Sequence, residues 1–278
     1  MPTRLAGARR RRAVWEVSLI GTAIVLYFGV RGLMETRTDL AFRNADRVVD
    51  LERSVGVFAE PQLQSAVLPH NWLVEALSYV YIYGHWPVLA LTLLWLIVRH
   101  RHEYSRFRNA MLISGAIGLV IFAVFPVAPP RFLAWYGFVD TVTEQTSAYR
   151  VLQPPAFVNQ YAAVPSLHFG WNLLIGIAWA TLAGHWLVRL FGWLMPLAML
   201  AAIVLTANHY LFDGLAGGAI ALLALLAATR LARRRPAQTP VRRPPAEPPP
   251  VPPSAAERSP AISGVSTTRT PRCGRQEP

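Results

Sequence analysis

The chain has 278 residues, 53% of them hydrophobic and 15% charged. A soluble domain of this size carries about 25% charged residues. The apolar residues here fall in runs of about 20, the length that spans a bilayer as helix, so a soluble globular protein is excluded. All 27 basic residues are arginine, which excludes any lysine-dependent mechanism. The net charge of +12 gathers at both ends and in one short segment, a pattern of membrane topology signals rather than of a nucleic-acid surface.

In chain order, residues 1–12 form a basic N-terminus with Arg4 and the run Arg9 to Arg12. An apolar span follows over Ala13 to Met34. No small-x-small cleavage site comes after it, so it reads as an anchor rather than a signal peptide. Residues 35–69 are mixed in charge, and Ala41, Ala45, Val48, Val49 and Leu51 predict an amphipathic helix at the interface. Asn71 to Val98 is apolar but broken by Gly84, His85 and Pro87. It reads as one kinked span, with two half-spans as the alternative, because proline interrupts the helical ladder. Arg99 to Arg108 (RHRHEYSRFR) reads as a basic loop. Ala110 to Val127 is a third span, ending in FPVAPPRFL, and a polar segment of about forty residues follows it. Val164 to Ala183, Leu187 to Thr206 and His209 to Leu231 are the fourth, fifth and sixth spans. From Ala232 to Pro278 the density of proline cannot build a core, so a disordered, solvated tail is expected, with a proline-rich docking motif as the alternative. The single cysteine, Cys273, lies in that tail, so there is no disulfide framework and no cysteine metal site. The expected fold is therefore all-α: a polytopic membrane helix bundle of about six transmembrane helices over residues 13–231.

Arginine-rich segments mark the cytoplasmic side. With six spans, the N-terminus, Arg99 to Arg108, Arg189 and the Arg230 to Arg235 cluster all fall on that side. The opposite side receives residues 35–69, the 127–165 loop and the turn near Asn208. Three polar stretches meet there. Between Arg189 and Arg230 only His209 and Asp213 carry charge near neutral pH; at i and i+4 they share a helix face, and Asp213 would fix the tautomer of His209 and leave its other nitrogen free. VPSLHFGWN opens the fourth span, with Ser166 as helix cap, His168 in the first turn, and backbone N–H groups of the kind that bind phosphate. In FPVAPPRFL, two prolines stiffen the approach to Arg131, whose guanidinium suits bidentate phosphate binding. Taken singly, each has an ordinary structural reading: a polar pair holding two helices, an interfacial histidine, an interfacial arginine. Together they supply an anion clamp, a helix N-terminus and two histidines, which fits phosphoryl transfer through a phosphohistidine.

At PPR, PSLH and HYLFD the chain resembles the type 2 phosphatidic acid phosphatase and vanadium haloperoxidase superfamily, and within it the inositolphosphotransferase branch that includes fungal inositol phosphorylceramide synthases. The resemblance covers about residues 70–231. It implies that His209 attacks phosphorus, Asp213 orients it, His168 protonates the leaving oxygen, and Ser166 and Arg131 hold phosphate oxygens. It implies no metal and no cofactor and a membrane lipid phosphate as substrate, while the arginine topology makes the expected site extracytoplasmic. Three positions depart from the family pattern. No lysine precedes Arg131, Ile203 stands where the third motif carries arginine, and Leu167 stands where the second motif often has glycine. Arg150 is the candidate to complete the phosphate clamp, on location alone. A non-catalytic transporter or scaffold is the competing class. An intramembrane serine protease is disfavoured, because Ser166 follows Val-Pro rather than lying in Gly-x-Ser.

Overall fold

The computed structural model describes residues 37–141 and 160–234 and parts of 11–30. Arg150, Cys273, almost all of the basic N-terminus and all of the tail beyond Arg234 lie outside the described residues.

The described chain is helical. Helix α1 (Val14–Val30) is apolar. Helices α2 (Thr38–Ser54) and α3 (Glu60–Val67) follow, then α4 (Asn71–Tyr83), α5 (Trp86–Arg99) and α6 (Arg101–Val124). Two short 3-10 turns, Pro130–Phe132 and Ala134–Tyr136, lead on to α7 (Leu167–Leu182), α8 (Trp186–Leu205) and α9 (Leu211–Arg234). Among the described residues there is no β-strand, only one isolated bridge between Val127 and Ala162.

The amphipathic helix predicted after the first span is α2. Ala41, Ala45, Val48 and Val49 recur at helical spacing and are buried. Their face meets Val127, Ala128, Leu133, Phe138 and Tyr210, so protein covers the stripe expected to lie in the membrane interface. Leu51, assigned to the same stripe, is instead exposed. The span over 71–98 breaks where Gly84, His85 and Pro87 predicted: α4 and α5 meet at 41°. The basic segment Arg99 to Arg108 is not a loop. Only His100 separates α5 from α6, and Arg101 to Arg108 form the first turns of α6. Arginine is a good helix former, and the segment contains neither proline nor glycine to break the helix.

Helices α6, α8 and α9 are long and apolar enough to cross a membrane, and the bent α4–α5 pair makes a fourth crossing if its two halves form one span. Helix α7 has 16 residues, a rise of about 24 Å against a hydrocarbon core of roughly 30 Å; α1 is likewise shorter. The expected count of six depends on those two. Helix α7 packs on both α8 and α9, and α6 on α9. In lipid such contacts depend on small residues that let backbones approach. A Cβ on Gly170 would come within 2.6 Å of the Gly217 carbonyl oxygen, and one on Gly217 within 2.1 Å of the Ser166 carbonyl oxygen. Gly176 and Gly192 do the same between α7 and α8. These contacts set the start of α7 directly against the first turns of α9.

Candidate active site

Two helix starts and one proline-stiffened turn build the cluster. Ser166 caps α7: its Oγ accepts the Phe169 N–H at 3.3 Å, while its own N–H donates to the Asp213 carbonyl at 3.0 Å. The N–H groups of Leu167 and His168 have no acceptor among the described residues. His168 stands in that first turn, with its ring stacked on Tyr81 at 4.5 Å and 4.3 Å from the ring of His85. Its Nε2 is buried and makes no hydrogen bond. The His168 and His209 ring centres are 5.8 Å apart, close enough for both to reach one phosphoryl group.

His209 lies in the turn between α8 and α9 and is buried. Its Nδ1 is 2.8 Å from the Ala163 carbonyl oxygen and 3.4 Å from Asp213 Oδ2. Both partners are acceptors, so Nδ1 carries the proton and Nε2 keeps its lone pair. Asp213 was expected to orient the ring; the backbone carbonyl of Ala163 is the nearer partner. Asp213 also has a second task. Three residues into the helix region, its Oδ2 accepts the Tyr210 N–H at 3.0 Å, the reach-back half of a capping box. Its Oδ1 is buried without a partner.

Arg131 follows Pro129 and Pro130 and is buried. Its backbone N–H donates to the Ala207 carbonyl at 2.9 Å. Its Nη1 donates to Asn208 Oδ1, and its Nε lies 3.8 Å from Asp140 Oδ2. Asn208 Nδ2 in turn donates to Thr206 Oγ1 at 2.6 Å. Arg131 and the turn that carries His209 are thus one hydrogen-bonded unit.

Arg131, Ser166, His168, His209 and Asp213 come together here, at one end of the bundle; Arg150 is outside the described residues. Ile203, in the place of the family's arginine, is fully buried against Leu77, Tyr81 and Met199, so that position contributes packing and no charge. Several residues beside the cluster are not singled out by the sequence. Asn208 had a signal, being next to His209. His85 had one too, at the break of the kinked span; it is buried, with Asn172 Nδ2 3.3 Å from its Nδ1. Glu52 and Glu60, counted only in a mixed-charge segment, reach the start of α9: Glu60 Oε1 accepts the Leu211 N–H at 2.9 Å and Glu52 Oε1 the Phe212 N–H at 2.8 Å. Burial, reinforced by Glu60, pushes the Glu52 carboxyl up to about 8, so it carries a proton at neutral pH. No group of three or more His, Cys, Asp or Glu among the described residues is arranged to hold a metal ion.

Fold and cluster define a class: a membrane protein, helical throughout its described residues, with a buried histidine-centred cluster at one end of its bundle. A family model described as PAP2 superfamily matches residues 46–227, and the chain belongs to that superfamily. It is 28% identical over 188 residues to a phosphoinositol dihydroceramide synthase of Bacteroides thetaiotaomicron, a match covering 62% of this chain and 60% of the relative's length. That relative agrees with the inositolphosphotransferase-like branch to which the three motifs pointed. No solved structure matches the chain significantly.

Proposed function

We propose that this is an integral membrane enzyme that moves a phosphoryl group, free or carrying a head group, off a lipid phosphate through a phosphohistidine at His209. The observation that supports it most is the setting of His209: Nδ1 faces two acceptors, the Ala163 carbonyl and Asp213, so Nε2 is available as a nucleophile. Nε2 attacks phosphorus and the N–P bond forms as the P–O bond to the leaving group breaks. His168 gives its proton to the departing oxygen. An acceptor hydroxyl or water then passes its proton to His168 and attacks phosphorus, and the N–P bond breaks. Arg131 and the unpaired N–H groups at the start of α7 hold the non-bridging oxygens, with Ser166 and Arg150 assigned to the same clamp. No metal or cofactor enters this scheme.

Residues 13–231 carry the activity, flanked by residues 1–12 and 232–278. Helix ends bearing Arg99, Arg101, Arg106, Arg108, Arg189, Arg230 and Arg233 are opposite the histidine end, which favours an extracytoplasmic site in the cell membrane, with both termini cytoplasmic. Transfer to a lipid or polyol hydroxyl has support from the name of the relative. Hydrolysis by water is the same chemistry with a smaller acceptor.

The test is release of phosphate or head group from lipid phosphates by detergent-purified protein in the presence of a chelator. Activity is expected to persist there and to fall by at least about 10³-fold in His209→Ala, the order seen when a nucleophile is removed. Labelled substrate should leave an acid-labile, alkali-stable label on the wild-type chain only. Full activity in His209→Ala would sink the mechanism.

A further inference from the structure

We propose that Glu52 and Glu60 are positioning residues for His209, two buried carboxyl groups from outside the spans that grip the first N–H groups of α9 and hold the histidine against the phosphate. The inference rests on the reading of His209 as nucleophile.

The residue at the N-cap of α9 is Tyr210, whose side chain offers no cap; its hydroxyl is taken up by the Ala128 carbonyl at 3.0 Å. A helix start normally finds acceptors for its first N–H groups in a local Ser, Thr, Asp or Asn. Here three successive N–H groups go to three carboxyl groups: Tyr210 to Asp213, Leu211 to Glu60 and Phe212 to Glu52. Two of these partners come from more than 150 residues away in sequence. Glu60 is held in turn by the Ala59 N–H at 3.0 Å, and the chain between the two acids is closed by the Val57 N–H donating to the Glu52 carbonyl at 2.9 Å. His209 is one residue upstream of this anchored start, and Asn208, on its other side, is tied to Arg131. The nucleophile is therefore fastened from both directions.

The three carboxyl groups are each 0–1% exposed. Like charges at low dielectric do not all ionise. The groups that face Glu52 are Glu60 from α3, and Asp213 and the Phe212 N–H from α9. Burial and the neighbouring Glu60 hold Glu52 toward its protonated form, and its Oε2 is buried without a hydrogen-bond partner. Its folded-state value is raised above the ordinary 4.5 to about 8. The folded protein thus holds a proton that the unfolded chain gives up, and stability falls as pH rises across that window. Above it, Glu52 adds a charge beside Glu60 and Asp213, and the start of α9 loosens.

The experiment uses the full-length protein in detergent with phosphatidic acid in mixed micelles. It measures kcat, KM, their pH profiles and thermal unfolding for the wild type, Glu52→Gln, Glu52→Ala and Glu60→Ala. Glutamine copies the protonated acid: it still accepts the Phe212 N–H and has no proton to lose. Glu52→Gln should keep kcat at pH 7 within about twofold and remove both the fall in kcat near pH 8 and the fall in melting temperature between about pH 4.5 and pH 8. Each alanine variant should lower kcat by roughly 10- to 100-fold, the effect of a nucleophile displaced by about 1 Å, with KM little changed because Arg131 and α7 still bind phosphate. An unaltered alkaline limb in Glu52→Gln overturns the proposal. So do alanine variants with lowered melting temperature but wild-type kcat, the mark of a merely structural cap. If those variants fail to fold, the glutamine profile alone decides. An inactive His209→Ala beside wild-type-like glutamate variants removes the positioning role and leaves the mechanism standing; an active His209→Ala removes both.

Discussion

Helices α7 and α9 begin at the same end of the bundle, and their first turns are in contact. Both N-termini carry the positive end of a helix dipole, yet they are finished in opposite ways. The start of α7 has one neutral cap, Ser166, which serves Phe169 and leaves the N–H groups of Leu167 and His168 open. The start of α9 has three buried carboxyl groups on three successive N–H groups. An anionic ligand would meet repulsion at α9 and open donors at α7. The difference separates two tasks that a helix start can perform: under the proposed function, α7 would be left free to bind, and α9 anchored so that the histidine before it keeps its place. Neither task is visible from the rule that helix N-termini attract anions; what matters is which anions are already there.

Moving the two starts apart breaks the comparison most severely. Gly217→Ala places a Cβ 2.1 Å from the Ser166 carbonyl oxygen, a backbone atom that cannot swing aside. Activity should fall by about 10²-fold or more, with a lower melting temperature in detergent; wild-type kinetics would show that the contact does not set the site. Arg131→Ala removes the cation that faces both starts and its bond to Asn208. A loss of roughly 10- to 100-fold in kcat/KM is expected, divided between KM and kcat because the clamp acts on ground and transition states. If neither constant moves, Arg131 is only a structural tie. Ser166→Ala is the mildest and sharpest probe. Loss of the cap costs about 1 kcal/mol of stability, and KM is expected to rise because the hydroxyl is assigned to the phosphate; an unchanged KM would leave Ser166 as a helix cap alone.

Much of the layout was legible because it depends on local pattern. The stripe Ala41, Ala45, Val48 and Val49 specified the buried face of α2, and Gly84 with Pro87 specified the break in the second crossing. The cap at Ser166 followed from its place before an apolar run. The meeting of Arg131, Ser166, His168, His209 and Asp213 could be anticipated from span parity, since alternate span ends share a side of the membrane. The basic segment from Arg99 reads as a loop because dense charge suggests solvent, yet arginine continues a helix readily. The carbonyl of Ala163 was unreadable for a different reason: every residue has one, and only the fold decides which faces a histidine.

The sequence by itself determined a membrane chain, the positions of its apolar helices and the residue types gathered at one end, because burial in lipid demands long apolar runs and makes each polar interruption conspicuous. Only the tertiary structure decided how that end is wired. Glu52 and Glu60 reach α9 across 160 and 151 residues of sequence, Asn208 ties the arginine to the histidine turn, and glycine contacts set two helix starts side by side. These are bonds between side chains and backbone groups far apart in the chain, and no periodicity records them.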